Sequence, residues 1–230
     1  MPFSGQALVL FCRYPYGEPV KTRLARVVGA AGAVELYAAF LRDTLAWASS
    51  PQSFDLLISL ADGRYRDAFA ENFSIQPEGI FAQDGNDLGA RISHSFEVAF
   101  ARGYRRVAVA ASDAPELSPE DVLAALAALD EYDIALIPAP DGGWSLMALR
   151  QLVDVFRDVT WSTSVVLSQT LALARAGNWS VSLLHPVADI DDVEAVEALR
   201  TRLSDSPELC RRLPHTAHQL FGRARQHPRS

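Results

Sequence analysis

The sequence predicts an α/β fold built on a mostly parallel sheet with helices on both faces. Short apolar runs of strand length recur along the chain, and stretches with helical spacing separate them. Gly, Pro and Asp gather at the junctions, as connections between such elements require. With 230 residues and 49% hydrophobic content, the chain can bury a large core, and its length suits one sizeable domain.

Ala7-Leu8-Val9-Leu10-Phe11 is too short for a helix and reads as a buried first strand. Val34, Tyr37, Leu41 and Leu45 recur at spacings of three and four, predicting an amphipathic helix from Ala30 to Ala48. Phe54 to Ser59 is a second strand ended by Asp62-Gly63, with a shorter helix through Tyr65, Ala68 and Phe69 after it. The polar stretch Gln83 to Gly89 is a loop, followed by a helix marked by Leu88, Ile92, Phe96 and Phe100 and closed by Gly103. Arg106 to Ala111 is the next strand. Ser118-Pro119-Glu120-Asp121 supplies a cap, a first-turn proline and first-turn acids for a helix through Val122, Leu123, Leu126 and Leu129. Strands are expected at Asp133 to Pro138, Trp144 to Leu149 and Ser180 to Leu184, and helices from Thr163 to Arg175 and from near Asp192 through Leu203.

The formal charge of -7 and a pI near 5.2 argue against nucleic acid or a membrane surface as partner, because both are polyanionic. Cys12 and Cys210 lie far apart and cannot form a dense disulfide framework, so the cytoplasm is the expected compartment. The first six residues lack the charged and apolar regions of a secretory leader, and no apolar run approaches the roughly 20 residues of a membrane span. From Ser204 onward Arg and His accumulate and apolar periodicity stops after Phe221, which reads as a solvated terminal extension.

In a parallel sheet, ligands bind beyond the carboxyl ends of the strands. Four loops there are unusual. The loop after the first strand carries Arg13, Lys21, Arg23 and Arg26 against the single acid Glu18, a local reversal of the chain's charge that suggests phosphate. The other three are Ala111-Ser112-Asp113-Ala114-Pro115, Pro140-Asp141-Gly142-Gly143-Trp144 and Asp189-Ile190-Asp191-Asp192. Carboxylates converging at strand ends repel one another unless a cation shares the space, and an oxygen-only site favours Mg²⁺ or Mn²⁺. Taken singly, each residue has a simpler role: Asp113 could organise a turn, Asp191 or Asp192 could cap the last helix, and Gly142-Gly143 could serve backbone geometry alone.

Other chemistries find no motif. Gly17 to Thr22 ends in the Lys-Thr of a Walker A loop, but Val20 stands where its second glycine belongs and Pro15 at its first position. Neither a Gly-x-Gly-x-x-Gly fingerprint, a zinc-type histidine spacing nor a Gly-x-Ser-x-Gly elbow occurs.

Six motifs in order resemble the DUF2064 proteins, also called rSAM/selenodomain-associated transferase 1, within the nucleotide-diphospho-sugar transferase superfamily. They are Arg13-Tyr14-Pro15-Tyr16-Gly17 with Val20-Lys21-Thr22-Arg23-Leu24, then Leu88-Gly89-Ala90-Arg91, Ser112-Asp113-Ala114-Pro115, Asp141-Gly142-Gly143-Trp144, Trp161-Ser162-Thr163 and Asp189-Ile190-Asp191. The resemblance implies a Rossmann-like GT-A three-layer α/β/α sandwich, assigned to residues 1–203; residues 204–230 read from their composition as a C-terminal extension, helical and then frayed. It implies a metal-dependent transferase using a nucleoside triphosphate or nucleotide-sugar and an unidentified small-molecule acceptor, similar to molybdenum-cofactor and phospholactate guanylyltransferases. Arg13, Gly17, Lys21 and Arg23 are then the phosphate side, Asp113 and Asp191 the metal side, and Gly142, Gly143 and Trp144 the acceptor side. Lys21, Asp113 and Asp141 are the catalytic candidates. Two departures stand out: Ala-Ser-Asp-Ala-Pro replaces the usual Gly-x-Asp-Cys-Pro, and Trp144 replaces a tyrosine. A non-catalytic nucleotide-binding module of the same fold is the alternative reading.

Overall fold

The computed structural model describes residues 5–50 and 53–222. β1 (Gln6–Cys12) is followed by α1 (Thr22–Val28), α2 (Ala30–Ala48), β2 (Asp55–Leu60), α3 (Arg66–Phe73) and β3 (Ile80–Ala82). Then come α4 (Leu88–Ala101), β4 (Arg106–Ala111), α5 (Pro119–Ala128), β5 (Ile134–Pro138), β6 (Trp144–Leu149), α6 (Val166–Ala176) and β7 (Val181–Leu183). α7 (Val193–Asp205), α8 (Pro207–Arg212) and α9 (Pro214–Gly222) follow.

The strands form one sheet in the order β3-β2-β1-β4-β6-β5-β7. All neighbours are parallel except β6, which runs antiparallel to both β4 and β5. Because side chains alternate along a strand, both faces must be apolar when both are covered. Leu8 and Leu10 of β1 with Ala108 and Ala110 of β4 point toward α2 and α5, whereas Val9, Val107 and Val109 point toward α4 and α6. This is the three-layer α/β/α arrangement that the sequence predicts.

Local chemistry sets the helix starts. Ser118 and Asp121 form a reciprocal capping box on α5, in which the Ser118 amide donates to Asp121 Oδ2 at 2.9 Å. Asp87 caps α4, accepting from the Ala90 amide at 2.8 Å.

The structure corrects several boundaries. α6 begins at Val166 rather than Thr163, because the Leu167 amide, which would close the first turn on Thr163, donates instead to the Gly142 carbonyl at 2.8 Å. β3 is a three-residue edge strand within a stretch too short for periodicity to reveal, and it forms by pairing with β2. α1 has no counterpart in the sequence pattern, since seven residues ended by Gly29 (φ 78°) leave too little periodicity. The segment after Ser204 is no solvated extension as far as residue 222: Leu213 and Thr216 are fully buried, and α9 packs on α2. The frayed end expected beyond it lies outside the described residues. Among the described residues, no helix is long and apolar enough to cross a membrane.

Candidate functional site

β1 and β4 are neighbours, yet the chain leaves β1 toward β2 and β3 on one side while β4 lies on the other. The crevice beyond their carboxyl ends is the topological switch point of the sheet. The β1–α1 loop enters it in a rigid conformation. The Arg13 amide donates to the Tyr37 hydroxyl at 3.1 Å, and the Tyr14 amide to Glu18 Oε2 at 3.3 Å. Tyr65 stacks on Tyr14 with ring centroids 5.2 Å apart and donates its hydroxyl to the Gly17 carbonyl at 2.9 Å. A Cβ on Gly17 would lie 2.5 Å from the Tyr65 ring, so glycine is required there for packing.

The loop ends at Lys21, a non-glycine residue in the left-handed region (φ 48°). That turn aims its side chain inward, where only 4% of it is exposed. Lys21 Nζ donates to Asp113 Oδ2 at 2.8 Å and to Asp191 Oδ1 at 2.6 Å. Asp113 follows β4 directly, and the Ile190 amide donates to its carbonyl at 2.9 Å, which pins the Asp189–Asp191 loop against the strand end. Asp192 spends its side chain capping α7 through the Ala195 amide at 2.9 Å, leaving Asp191 free for Lys21. Burial pulls the Lys21 ammonium toward neutrality, but the two carboxylates outweigh it and hold its pKa above the usual lysine value.

Asp189 completes the cluster. Burial, then the charges of Asp113, Asp141 and Asp191, push its carboxyl up to about 6. Four carboxylates thus share this part of the cavity with the buried Lys21.

The opposite wall is aromatic. Trp144 opens β6 and meets Trp161 edge to face, with centroids 6.4 Å apart. Trp161 fills the space that a side chain on Gly89 would need, 2.7 Å from the Cβ position. Asp141 Oδ1 accepts from the Gly143 amide at 2.8 Å, and the intervening Gly142 (φ 92°) abuts the Ser164 carbonyl where any Cβ would project. Arg91 Nε donates to the Gly85 carbonyl at 3.1 Å, steadying its guanidinium on this side.

These walls enclose a cavity of about 710 Å³. Arg13, Lys21, Arg23, Asp113, Asp141, Gly143, Trp144 and Asp191 line it together, as do Asp189, Arg91 and Trp161. Gly17 and Gly142, expected at the phosphate and acceptor sides, do not line it; they hold the backbone of their loops. Asp189 and Arg91 stand in stretches the sequence reading singled out, but no local pattern separates them from their neighbours. Arg26 is exposed and outside the cavity, and Arg13 keeps Glu18 at 3.4 Å.

The donor set is entirely oxygen, and the crowding at Asp189 marks a place where an added cation relieves repulsion, so the residues fit Mg²⁺ or Mn²⁺. Among the described residues no three His, Cys, Asp or Glu side chains are grouped as a self-sufficient metal site. Magnesium held by one or two carboxylates and a substrate's phosphates needs no such group.

The sequence model of the family described as uncharacterized proteins conserved in bacteria, DUF2064, matches residues 44–163. A provisionally assigned nucleotide-diphospho-sugar transferase of Desulfovibrio desulfuricans G20 shares 32% identity, with 97% of this chain and 96% of that chain covered and a TM-score of 0.87. The chain belongs to the DUF2064 family. More distant solved structures share its fold. CMP:2-keto-3-deoxy-manno-octonic acid synthetase, solved with CTP, is 13% identical with a TM-score of 0.53, covering 87% of this chain and 98% of that one. The 4-diphosphocytidyl-2C-methyl-D-erythritol synthase of Anaerococcus prevotii is 12% identical with a TM-score of 0.55, covering 86% and 98%. No curated protein matches the sequence. This DUF2064 protein therefore has the fold of nucleotide-diphospho-sugar transferases and cytidylyltransferases.

Proposed function

We propose that this DUF2064 protein is a metal-dependent transferase that takes a nucleoside triphosphate or nucleotide-sugar and passes its nucleotidyl or glycosyl group to a small-molecule acceptor. One observation carries the reading: Lys21 joins Asp113 to Asp191 at the switch point of the sheet, inside a cavity bordered by the cationic first loop. The similar structure provisionally assigned as a nucleotide-diphospho-sugar transferase, and the synthetase of the same fold solved with CTP, support it.

Arg13 and Arg23 bind the phosphates, because guanidinium groups pair with phosphate oxygens through two parallel hydrogen bonds. Asp113 and Asp191 are the carboxylates that would hold Mg²⁺ or Mn²⁺, which when bound neutralises charge on the phosphate oxygens. Lys21 lies within reach of the same charge and adds a fixed ammonium. The first loop, held rigid by Tyr37 and Tyr65, places these cations before the reaction begins, so little reorganisation is needed. Asp141 stands at the acceptor side, with Trp144 and Trp161 excluding water around the acceptor.

The test is turnover with ATP, CTP, GTP, UTP and nucleotide-sugars in Mg²⁺ or Mn²⁺, beside calorimetric binding of each. Metal-dependent nucleotide binding that Asp113→Asn abolishes supports the proposal. Absence of metal-dependent binding by any of these compounds overturns it. Binding without turnover on any acceptor would point instead to the non-catalytic module.

A further inference from the structure

Lys21 has a second consequence that rests on the proposed transferase reading. Its ammonium contacts Asp113 Oδ2 at 2.8 Å and Asp191 Oδ1 at 2.6 Å, so the oxygens that face each other across the carboxylate pair are already bonded to a cation. The Lys21 side chain is 4% exposed, whereas those of Asp113 and Asp191, which line the cavity, are 31% and 45% exposed. The lysine side chain is closed off from solvent, and a metal held by the two carboxylates would have to share their charge with it. Its backbone is held in the left-handed region, where a residue with a Cβ is strained. The surrounding fold keeps that strain in place so that this side chain points inward.

We infer that Lys21 is the resident cation of the Asp113–Asp191 pair, so that the site admits a divalent metal as its complex with a nucleotide and discriminates against the free ion. Without phosphate, a metal at Asp113 and Asp191 would bind carboxylates whose charge the buried ammonium already shares, and it would lack further ligands. With a triphosphate present, both shortfalls are made good. The phosphate oxygens supply the metal's missing ligands, and they offer the ammonium new anionic partners. Lys21 is therefore a specificity-determining residue as well as a phosphate contact. It couples metal entry to nucleotide entry.

The experiment titrates Mn²⁺ into the full chain by calorimetry and by electron paramagnetic resonance, alone and with ATP, CTP, GTP or UTP tested singly. The wild type is expected to bind free Mn²⁺ weakly and to bind it tightly with its nucleotide. Lys21→Met is expected to bind free Mn²⁺ at least about tenfold tighter, a factor equivalent to about 1.4 kcal/mol, and to lose most of the nucleotide enhancement. Equal free Mn²⁺ affinity in the two proteins overturns the inference. If Lys21→Met does not melt cooperatively, nuclear magnetic resonance of the Lys21 ammonium in the wild type replaces it. That signal should stay put with Mg²⁺ alone and move with Mg²⁺ plus nucleotide; movement with Mg²⁺ alone is the contrary result. Failure of every nucleotide to bind the wild type defeats the transferase proposal instead, while the comparison of free Mn²⁺ affinity still decides the role of Lys21.

Discussion

Asp43 and Asp113 both draw distant parts of the chain to a carboxylate, by opposite means. Asp43 of α2 is 1% exposed and accepts two backbone amides from the start of α9, His215 at 3.0 Å and Thr216 at 2.8 Å. Its partners belong to the main chain of a helix and cannot leave without unpacking α9. Asp113 is held by an ammonium on a four-carbon stem, which can turn to another anion without disturbing a helix or strand. A carboxylate satisfied by backbone is architecture; one satisfied by a lone flexible cation is available for exchange. The cavity sits on the second kind.

The contrast is sharpest if each carboxylate is removed. Asp113→Asn should lower metal-dependent turnover by roughly a hundredfold or more, a loss typical of deleting one electrostatic contact to the reacting group. Its urea midpoint should stay near that of the wild type; a large stability loss with retained turnover would erase the distinction. Asp43→Ala should do the reverse. Two amides at the start of α9 lose their acceptor in a buried setting, costing about 2–4 kcal/mol in urea unfolding. Nucleotide affinity of the folded fraction should not change.

Tyr37 lies between the two cases, because its hydroxyl joins the Arg13 amide to Ser112 Oγ at 3.1 and 2.7 Å. Tyr37→Phe should cost about 1–2 kcal/mol of stability and also weaken nucleotide binding, since it loosens the first loop against the Asp113 loop. Stability loss alone would place Tyr37 with Asp43.

The smallest effect belongs to Asp133, where β5 meets β7. The Ser180 hydroxyl and amide, with a lesser part from Arg150, hold its pKa below the usual carboxylate value. A depressed folded pKa means stability that is present above the unfolded value and is lost as pH falls through the folded one. Asp133→Asn should lower stability slightly near neutrality and flatten the acid side of the curve below about pH 4, so that the two proteins converge in acid. An unchanged acid limb would show that Asp133 contributes nothing measurable.

Much of this could be read from residues alone. The apolar runs Ala7–Phe11 and Val107–Ala111 declare strands because each is too short for a buried helix. The capping pair Ser118 and Asp121 likewise declares a helix start. The loops at strand ends stood out by charge, and they meet in one cavity. Arg91 and Asp189 did not stand out, because neither departs from its neighbours until the fold brings them to the cavity. The packing of Gly17 against the Tyr65 ring and of Gly142 against the Ser164 carbonyl is set by the tertiary structure and leaves no trace in the local sequence. The basic segment after Ser204 looked detached because its apolar residues are sparse; Asp43 is what anchors it.

The sequence by itself determined the layers of this protein, since period-two and helical patterns follow from backbone geometry within a few residues. It also determined that cations follow β1 and carboxylates follow β4 and β7. Tertiary structure alone decided that Lys21 closes onto Asp113 and Asp191, residues 92 and 170 positions away. Such a pairing depends on distance through space and on exclusion from water, and no run of neighbouring residues encodes either.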